Sequence, residues 1–291
     1  MVHQLIITFL FLFTFSFSFA QTEAGLRTYI SFDDCTADES SGDPSVISVV
    51  NGQPTCENGL CDKSFQFNGI EHFFIAGPFN SIFRTEDFSI SLFFKPSHTE
   101  GISTIISKSL DCSAFRYFAI RYDADNHQLK VDMVENSIQN ASIEDFPLPT
   151  TSDGWIHITV VRKDVSTILY VDGQMATQVD AFSRINVNND DIFTVGKSFC
   201  ADTDRFFEGE LDELRIYDRA LEEQEVLDIF NACEAVSTED FSLSGNELTV
   251  FPNPTAQSFQ IKSSVSQLID IQLFNSTGQI VLEQNLSLIH I

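Results

Sequence analysis

The feature that most limits what this chain can fold into is a long succession of short apolar runs with a period of two, each closed by a turn signal. Residues 88–94 are the clearest case. Phe88, Ile90, Leu92 and Phe94 share one face, and Ser89, Ser91 and Phe93 share the other, because successive strand side chains point to opposite sides. Similar runs occupy residues 28–32, 64–67, 72–76, 104–108, 115–122, 129–134, 155–162, 167–172 and 191–196. Asn68-Gly69 and Asp172-Gly173 mark tight turns between them. Residues 37–62 are rich in Ser, Gly, Asp and Asn and read as a loop. Roughly ten to twelve short strands with almost no helix predict an all-β fold, a two-sheet antiparallel sandwich.

Residues 206–221 interrupt this regularity. They read as a strand begun by Gly209, then a turn, then the entry to a helix. Three acids, Glu210, Asp212 and Glu213, crowd the strand, and either they do chemistry or they fasten it. Leu211 and Leu214 have opposite parity. A bulge near Asp212-Glu213, or burial on both faces, is needed to reconcile them. Residues 222–232 are the one convincing helix, with Val226, Ile229 and Phe230 at helical spacing. Glu222, Glu223 and Glu225 stand in its first turn, where the helix dipole favours acids.

Residues 1–20 read as a signal peptide: an apolar run from Leu5 to Phe19, then Ser18-Phe19-Ala20 at the cleavage position. Later segments show no span of about 20 apolar residues, so no membrane span is expected after its removal. The six cysteines, Cys35, Cys56, Cys61, Cys112, Cys200 and Cys233, form an even set in an exported chain and suggest disulfides. We favour Cys112 with Cys200, and the other four tying the domain's ends together. The cysteines lack the spacing and histidine neighbours of a zinc site. A net charge of -26 repels phosphate backbones and argues against nucleic acid as a partner. It suits neutral ligands and divalent cations. Residues 234–247 read as a linker, and a small second unit of strands and turns occupies 248–291.

Two resemblances follow from motifs. Ser64-Phe65-Gln66-Phe67-Asn68-Gly69, residues 88–96, Trp155 to Val161, Leu169-Tyr170-Val171-Asp172-Gly173 and Gly209 to Leu221 resemble the laminin-G-like, concanavalin A-like jelly roll, over about 200 residues. This resemblance implies that residues 21–233 form a jelly roll with one short C-terminal helix. Val250-Phe251-Pro252-Asn253-Pro254-Thr255 and Leu273 to Gln279 resemble the C-terminal sorting domain of the type IX secretion pathway of Bacteroidetes. The tail is therefore expected to be a partial small β-sandwich that engages the type IX machinery and takes the chain to the exterior or the outer cell surface. Its closing segment departs from the family pattern, so it reads as incomplete.

Glucanases of this fold carry Glu-x-Asp-x-x-Glu or Glu-x-Asp-x-Glu on one strand face. Glu210-Leu211-Asp212 matches the first half, but the third acid would fall on Leu214 or Arg215. No catalytic residue is assigned on that basis. Asp212 is expected to cap a neighbouring loop or to share a structural calcium with Asp33 at the end of the first strand. Asp123 to His127 lacks the glycine and late glutamate of an EF-hand loop and reads as a hairpin turn. Trp155, the only tryptophan, is expected in the core, with Tyr117, Tyr122 and Tyr170 as weaker candidates for sugar stacking. The expected function is an exported, non-enzymatic module binding carbohydrate or another cell-surface ligand. A glycoside hydrolase and a structural adhesin are the rivals.

Overall fold

The computed structural model describes residues 23–38, 40, 47–52, 55–109, 112–197, 200, 203–234, 248–251, 260–263, 269–274 and 280–286. The expected signal peptide, and the linker beyond residue 234, lie outside them. The chain divides into two units, Met1–Ser237 and Thr238–Ile291. The strands of the first unit are β1 (Leu26–Ile30), β2 (Ile47–Asn51), β3 (Thr55–Asn58), β4 (Lys63–Asn68), β5 (His72–Ala76), β6 (Phe88–Pro96), β7 (Ile102–Lys108) and β8 (Tyr117–Asp123). They continue with β9 (Gln128–Val134), β10 (Ile143–Pro147), β11 (Ile156–Lys163), β12 (Ser166–Val171), β13 (Gln174–Asp180), β14 (Phe193–Val195), β15 (Arg205–Phe206) and β16 (Glu208–Tyr217). The helix α1 (Glu223–Glu234) closes the unit.

These strands form two sheets. The first runs β13-β12-β11-β6-β16-β4-β3, with β1 also pairing to β16. The second runs β10-β9-β8-β7-β14-β5-β2, with β15 added in parallel to β7. All the other pairings in the two sheets are antiparallel, as the period-two runs and tight turns predicted. One core lies between the sheets. Phe88, Ile90, Leu92 and Phe94 of β6 meet Phe118, Ile120, Leu129 and Val131 of the second sheet there. The heavy use of phenylalanine is explained by ring contacts across this layer. Phe83 touches Phe88 and Phe193 with centroids 5.0 and 5.7 Å apart, and Phe65, Phe67 and Phe73 form a second group. Such aromatic pairs add specific geometry to the area they remove from water.

Every residue of β6 from Phe88 to Phe94 is buried, including the polar set Ser89 and Ser91. The reason is a second layer. Helix α1 lies across the outer face of the first sheet, where Val226 and Ile229 pack on Val161, Ile168, Tyr170 and Tyr217. Ser89 is satisfied by this layer, donating to Arg219 O and accepting from Leu221 N, both at 2.9 Å. The helix start is fixed by Glu225, which accepts the Glu222 N–H at 2.9 Å and holds Arg219 with both oxygens.

β16 carries the anticipated bulge. Its pairing with β6 shifts between Asp212 and Arg215, and Glu213 adopts φ 58. One extra residue lets Leu211, Leu214 and Ile216 all face the core.

Three disulfides join Cys35 to Cys56, Cys61 to Cys233 and Cys112 to Cys200. The second links the segment before β4 to the end of α1 across 172 residues of chain. In the second unit, β17 (Leu248–Phe251) pairs with β18 (Gln260–Ser263), and β19 (Ile269–Phe274) with β20 (Ile280–Leu286), both antiparallel.

Candidate functional site

Glu210, Asp212 and Glu213 of β16 are all engaged in holding structure. Glu210 accepts the Ser64 hydroxyl at 2.8 Å and pairs with Lys95 at 3.0 Å. Glu213 accepts the Tyr29 hydroxyl at 2.8 Å and pairs with Arg215, whose guanidinium lies 4.3 Å from the Tyr29 ring centroid. Asp212 is fully buried, and its Oδ2 accepts the backbone N–H groups of Leu60 and Cys61 at 2.9 and 3.0 Å. It caps that loop. A Cβ on Gly59 would stand 2.6 Å from the same oxygen, so the loop can press onto Asp212 only with glycine there. Burial pushes the Asp212 carboxyl up to about 8, against the two N–H donors, and its Oδ1 has no partner.

Asp33 is exposed, and its Oδ1 lies 3.5 Å from Lys63 N. Its charge reaches Asp212, so the two expected calcium ligands are near one another. They do not form a calcium shell by themselves. Calcium takes six or more oxygens, and one oxygen of Asp212 is already committed to two N–H donors. Among the described residues the one set of three metal-ligand types is Cys61, Glu213 and Cys233, and its two sulfurs are joined in a disulfide.

The loop that Asp212 caps forms one wall of a cavity of about 360 Å³ on the outer face of the first sheet. Leu60, Phe93, Trp155, His157 and Phe230 supply its apolar surface, and Thr151, Ser152, Asp153 and Asp172 its polar rim. Each part has a local cause. Residues 151–155 form a tight turn in which Asp153 Oδ1 accepts Trp155 N–H at 3.1 Å and Thr151 donates to Trp155 O at 2.8 Å. Asp172 and Gly173 have φ 47 and 72, the double left-handed turn expected of Asp-Gly. That turn lets α1 approach closely, since a Cβ on Gly173 would meet Leu227 at 3.0 Å and Phe230 at 3.1 Å. Phe230 of α1 in turn stacks on Phe93, with centroids 6.3 Å apart.

His157 stands at the apolar wall, packed on Phe93 with ring centroids 4.6 Å apart. Burial, with help from the charge of Arg215, pushes its imidazole down to about 3, so it is neutral at physiological pH. Nε2 lies 2.9 Å from Ser91 Oγ, while Nδ1 is buried without a partner. The Ser91 hydroxyl both donates and accepts, so it satisfies Nε2 in either tautomer. Asp172 gives Oδ1 to the His157 N–H at 3.1 Å. Its carboxyl is raised by burial and by the neighbouring charge of Asp153, partly offset by that hydrogen bond.

Of the aromatic residues read from sequence, Trp155 is buried and lines this cavity, whereas Tyr117, Tyr122 and Tyr170 do not line it. Asp153, His157, Asp172, Leu60 and Phe230 were not anticipated. Asp172 was marked in the sequence only as a turn former. The turn Asp123 to His127 joins β8 to β9, with Asp123 capping Asn126.

A profile of the concanavalin A-like lectin/glucanases superfamily matches residues 74–227. One of the secretion system C-terminal sorting domain matches residues 249–290, and this tail marks the chain for secretion to the cell surface or exterior. No curated protein sequence matches the chain. The binding domain of Paraclostridial Mosquitocidal Protein 1 is 19% identical at TM-score 0.60, covering 73% of this chain and 53% of that one. A structure of botulinum neurotoxin type C, whose cell entry depends on two ganglioside molecules, is 15% identical at TM-score 0.59, covering 74% and 53%. Domain 4 of AbnA, a GH43 extracellular arabinanase from Geobacillus stearothermophilus, in complex with arabinotriose, is 21% identical at TM-score 0.54, covering 70% and 97%. The chain thus spans about half the length of the toxin domains and nearly all of the arabinanase domain. Identities this low establish a common fold and nothing finer. Because the superfamily profile covers more than half of the 291 residues, the chain belongs to the concanavalin A-like lectin/glucanases superfamily.

Proposed function

We propose that this protein is an exported, non-catalytic module that binds carbohydrate in the cavity beside Trp155. The observation that carries the reading is the combination of a tryptophan wall, the unpartnered His157 Nδ1 and a rim of hydroxyl and carboxylate groups in one concave site. Sugars present the matching chemistry, an apolar ring face edged by hydroxyls that donate and accept. A related fold is known in complex with arabinotriose, which adds support by analogy only.

The hydrolase reading loses its motif. Glu210, Asp212 and Glu213 are tied to Ser64, to the loop at Leu60 and to Tyr29, so a general acid and a nucleophile would have to come from elsewhere. We assign calcium no part in binding, since Asp33 and Asp212 supply too few oxygens for it.

A glycan array probed with the full chain, and repeated with Ser152→Trp, tests the proposal. Ser152 is exposed at the cavity rim, so a tryptophan there blocks the mouth without entering the core. Binding to a restricted set of glycans, lost in the variant, is expected. A blank array together with binding to whole cells would favour the adhesin. Reducing sugar released from a polysaccharide panel would favour the hydrolase.

A further inference from the structure

The polar rim of the cavity is one-sided. Its two ionisable rim groups are both carboxylates, Asp153 and Asp172, and no basic side chain lines it. Each carboxylate gives one oxygen to a backbone N–H, of Trp155 and of His157 respectively. Among the described residues neither makes an ion pair. The two are close enough for the charge of Asp153 to raise the Asp172 carboxyl. Burial is the larger cause of that shift, so Asp172 is partly desolvated, while Asp153 stands exposed at the mouth.

The walls favour the opposite charge as well. Phe93 and Phe230 present aromatic rings, whose faces attract cations, and the Trp155 ring already draws Lys95 Nζ to 5.7 Å from its centroid. The whole chain carries a net charge of -26, which concentrates cationic ligands around it. An acidic pair alone would be ordinary surface chemistry. The independent observation is His157, with only 1% of its surface exposed, which lines the same cavity and leaves Nδ1 unsatisfied.

We propose that the cavity selects amino sugars: a protonated amine of the ligand sits between Asp153 and Asp172, and a neighbouring hydroxyl meets His157 Nδ1. This rests on the carbohydrate reading above and narrows it. The ammonium supplies up to three donors to an acceptor-only carboxylate pair. A uronic acid would set a third carboxylate beside two uncompensated ones and is rejected.

The experiment measures affinity of the full chain for tetramers built from one backbone in free-amine, N-acetyl, neutral hydroxyl and carboxylate forms, in gluco and galacto series, at about pH 6. The free-amine form is expected to bind about tenfold tighter than the neutral one, as one charge-assisted contact provides. That advantage shrinks with added salt. The amine-to-neutral ratio is expected to fall toward one in the double variant Asp153→Asn, Asp172→Asn, in which the amide oxygens still accept from Trp155 and His157. Ser152→Trp is expected to remove binding of both forms. Equal affinity for amine and neutral tetramers overturns the inference and leaves the carbohydrate reading standing. An amine preference that survives in either variant also overturns it, because attraction to the acidic surface at large would then explain the preference. If none of the tetramers binds, the carbohydrate reading fails and takes this inference with it.

Discussion

At the scale of single residues, the acids of β16 separate what sequence can and cannot say. Glu210, Asp212 and Glu213 were legible as a group with a purpose, and their spacing already argued against catalysis. Their partners were not legible, because Ser64, Leu60 and Tyr29 lie some 150 to 180 positions away in the chain. Two buried groups give stability a predictable pH dependence. Asp212 is raised from 3.8 to about 8, so between these values the native state holds a proton that the unfolded chain has released, and stability falls as pH rises. His157 is lowered from 6.5 to about 3, so its effect is opposite and ends near pH 6.5. From about pH 6.5 to 8 Asp212 acts without that opposition. Over that window the melting temperature of the native chain should fall by about 4 °C relative to Asp212→Asn. Parallel curves for the two proteins would show that Asp212 is ionised in the fold. A second residue-scale prediction concerns calcium. Melting curves in EDTA and in millimolar calcium should coincide, and a rise with calcium would show that Asp33 and Asp212 recruit further oxygens.

Single elements show a sharper division. The interior strands were readable because one face of each meets the core, which imposes alternation. The strands that escaped notice include β2, β3, β10 and β13, and these are the four that end the two sheets. An edge strand is half exposed on both faces, so its side chains need not alternate; β13 reads Gln-Met-Ala-Thr-Gln-Val-Asp with no residue buried. β10 carries Glu144, Asp145 and Pro147, residues that discourage pairing with another chain. β2 and β3 sit within the polar stretch that reads as a loop. The bulge of β16, by contrast, was visible in the parity of Leu211 and Leu214. Deleting Glu213 should remove it. Leu211, Leu214 and Ile216 would then alternate in a regular ladder and still face the core, while the Glu213 contacts to Tyr29 and Arg215 would be lost. Circular dichroism and dispersion of amide resonances should report a folded chain of lower stability. An unfolded or aggregated deletion variant would mean that the strands flanking β16 require the bulge itself.

The whole molecule was the most legible level, and its cavity the least. A sandwich follows from counting strands and turns, and the sorting tail from its motifs. The cavity takes residues from the loop before β4, from β6, from the turn before β11, from the β12–β13 turn and from α1, and no local pattern links these. The Cys61–Cys233 disulfide closes the arrangement by joining the Leu60 wall to the helix that carries Phe230. Cys233→Ser should therefore cost about 2–5 kcal/mol in denaturant unfolding and weaken glycan binding, while the two sheets keep their circular dichroism. Unchanged affinity would place the ligand away from α1. The central claim is that ligand sits against Trp155, and the chain contains only that tryptophan. Its fluorescence, titrated with whichever glycan the array identifies, tests the claim most directly. The account predicts an emission change that saturates with the same dissociation constant as calorimetry. Heat of binding with no change in tryptophan emission would contradict it.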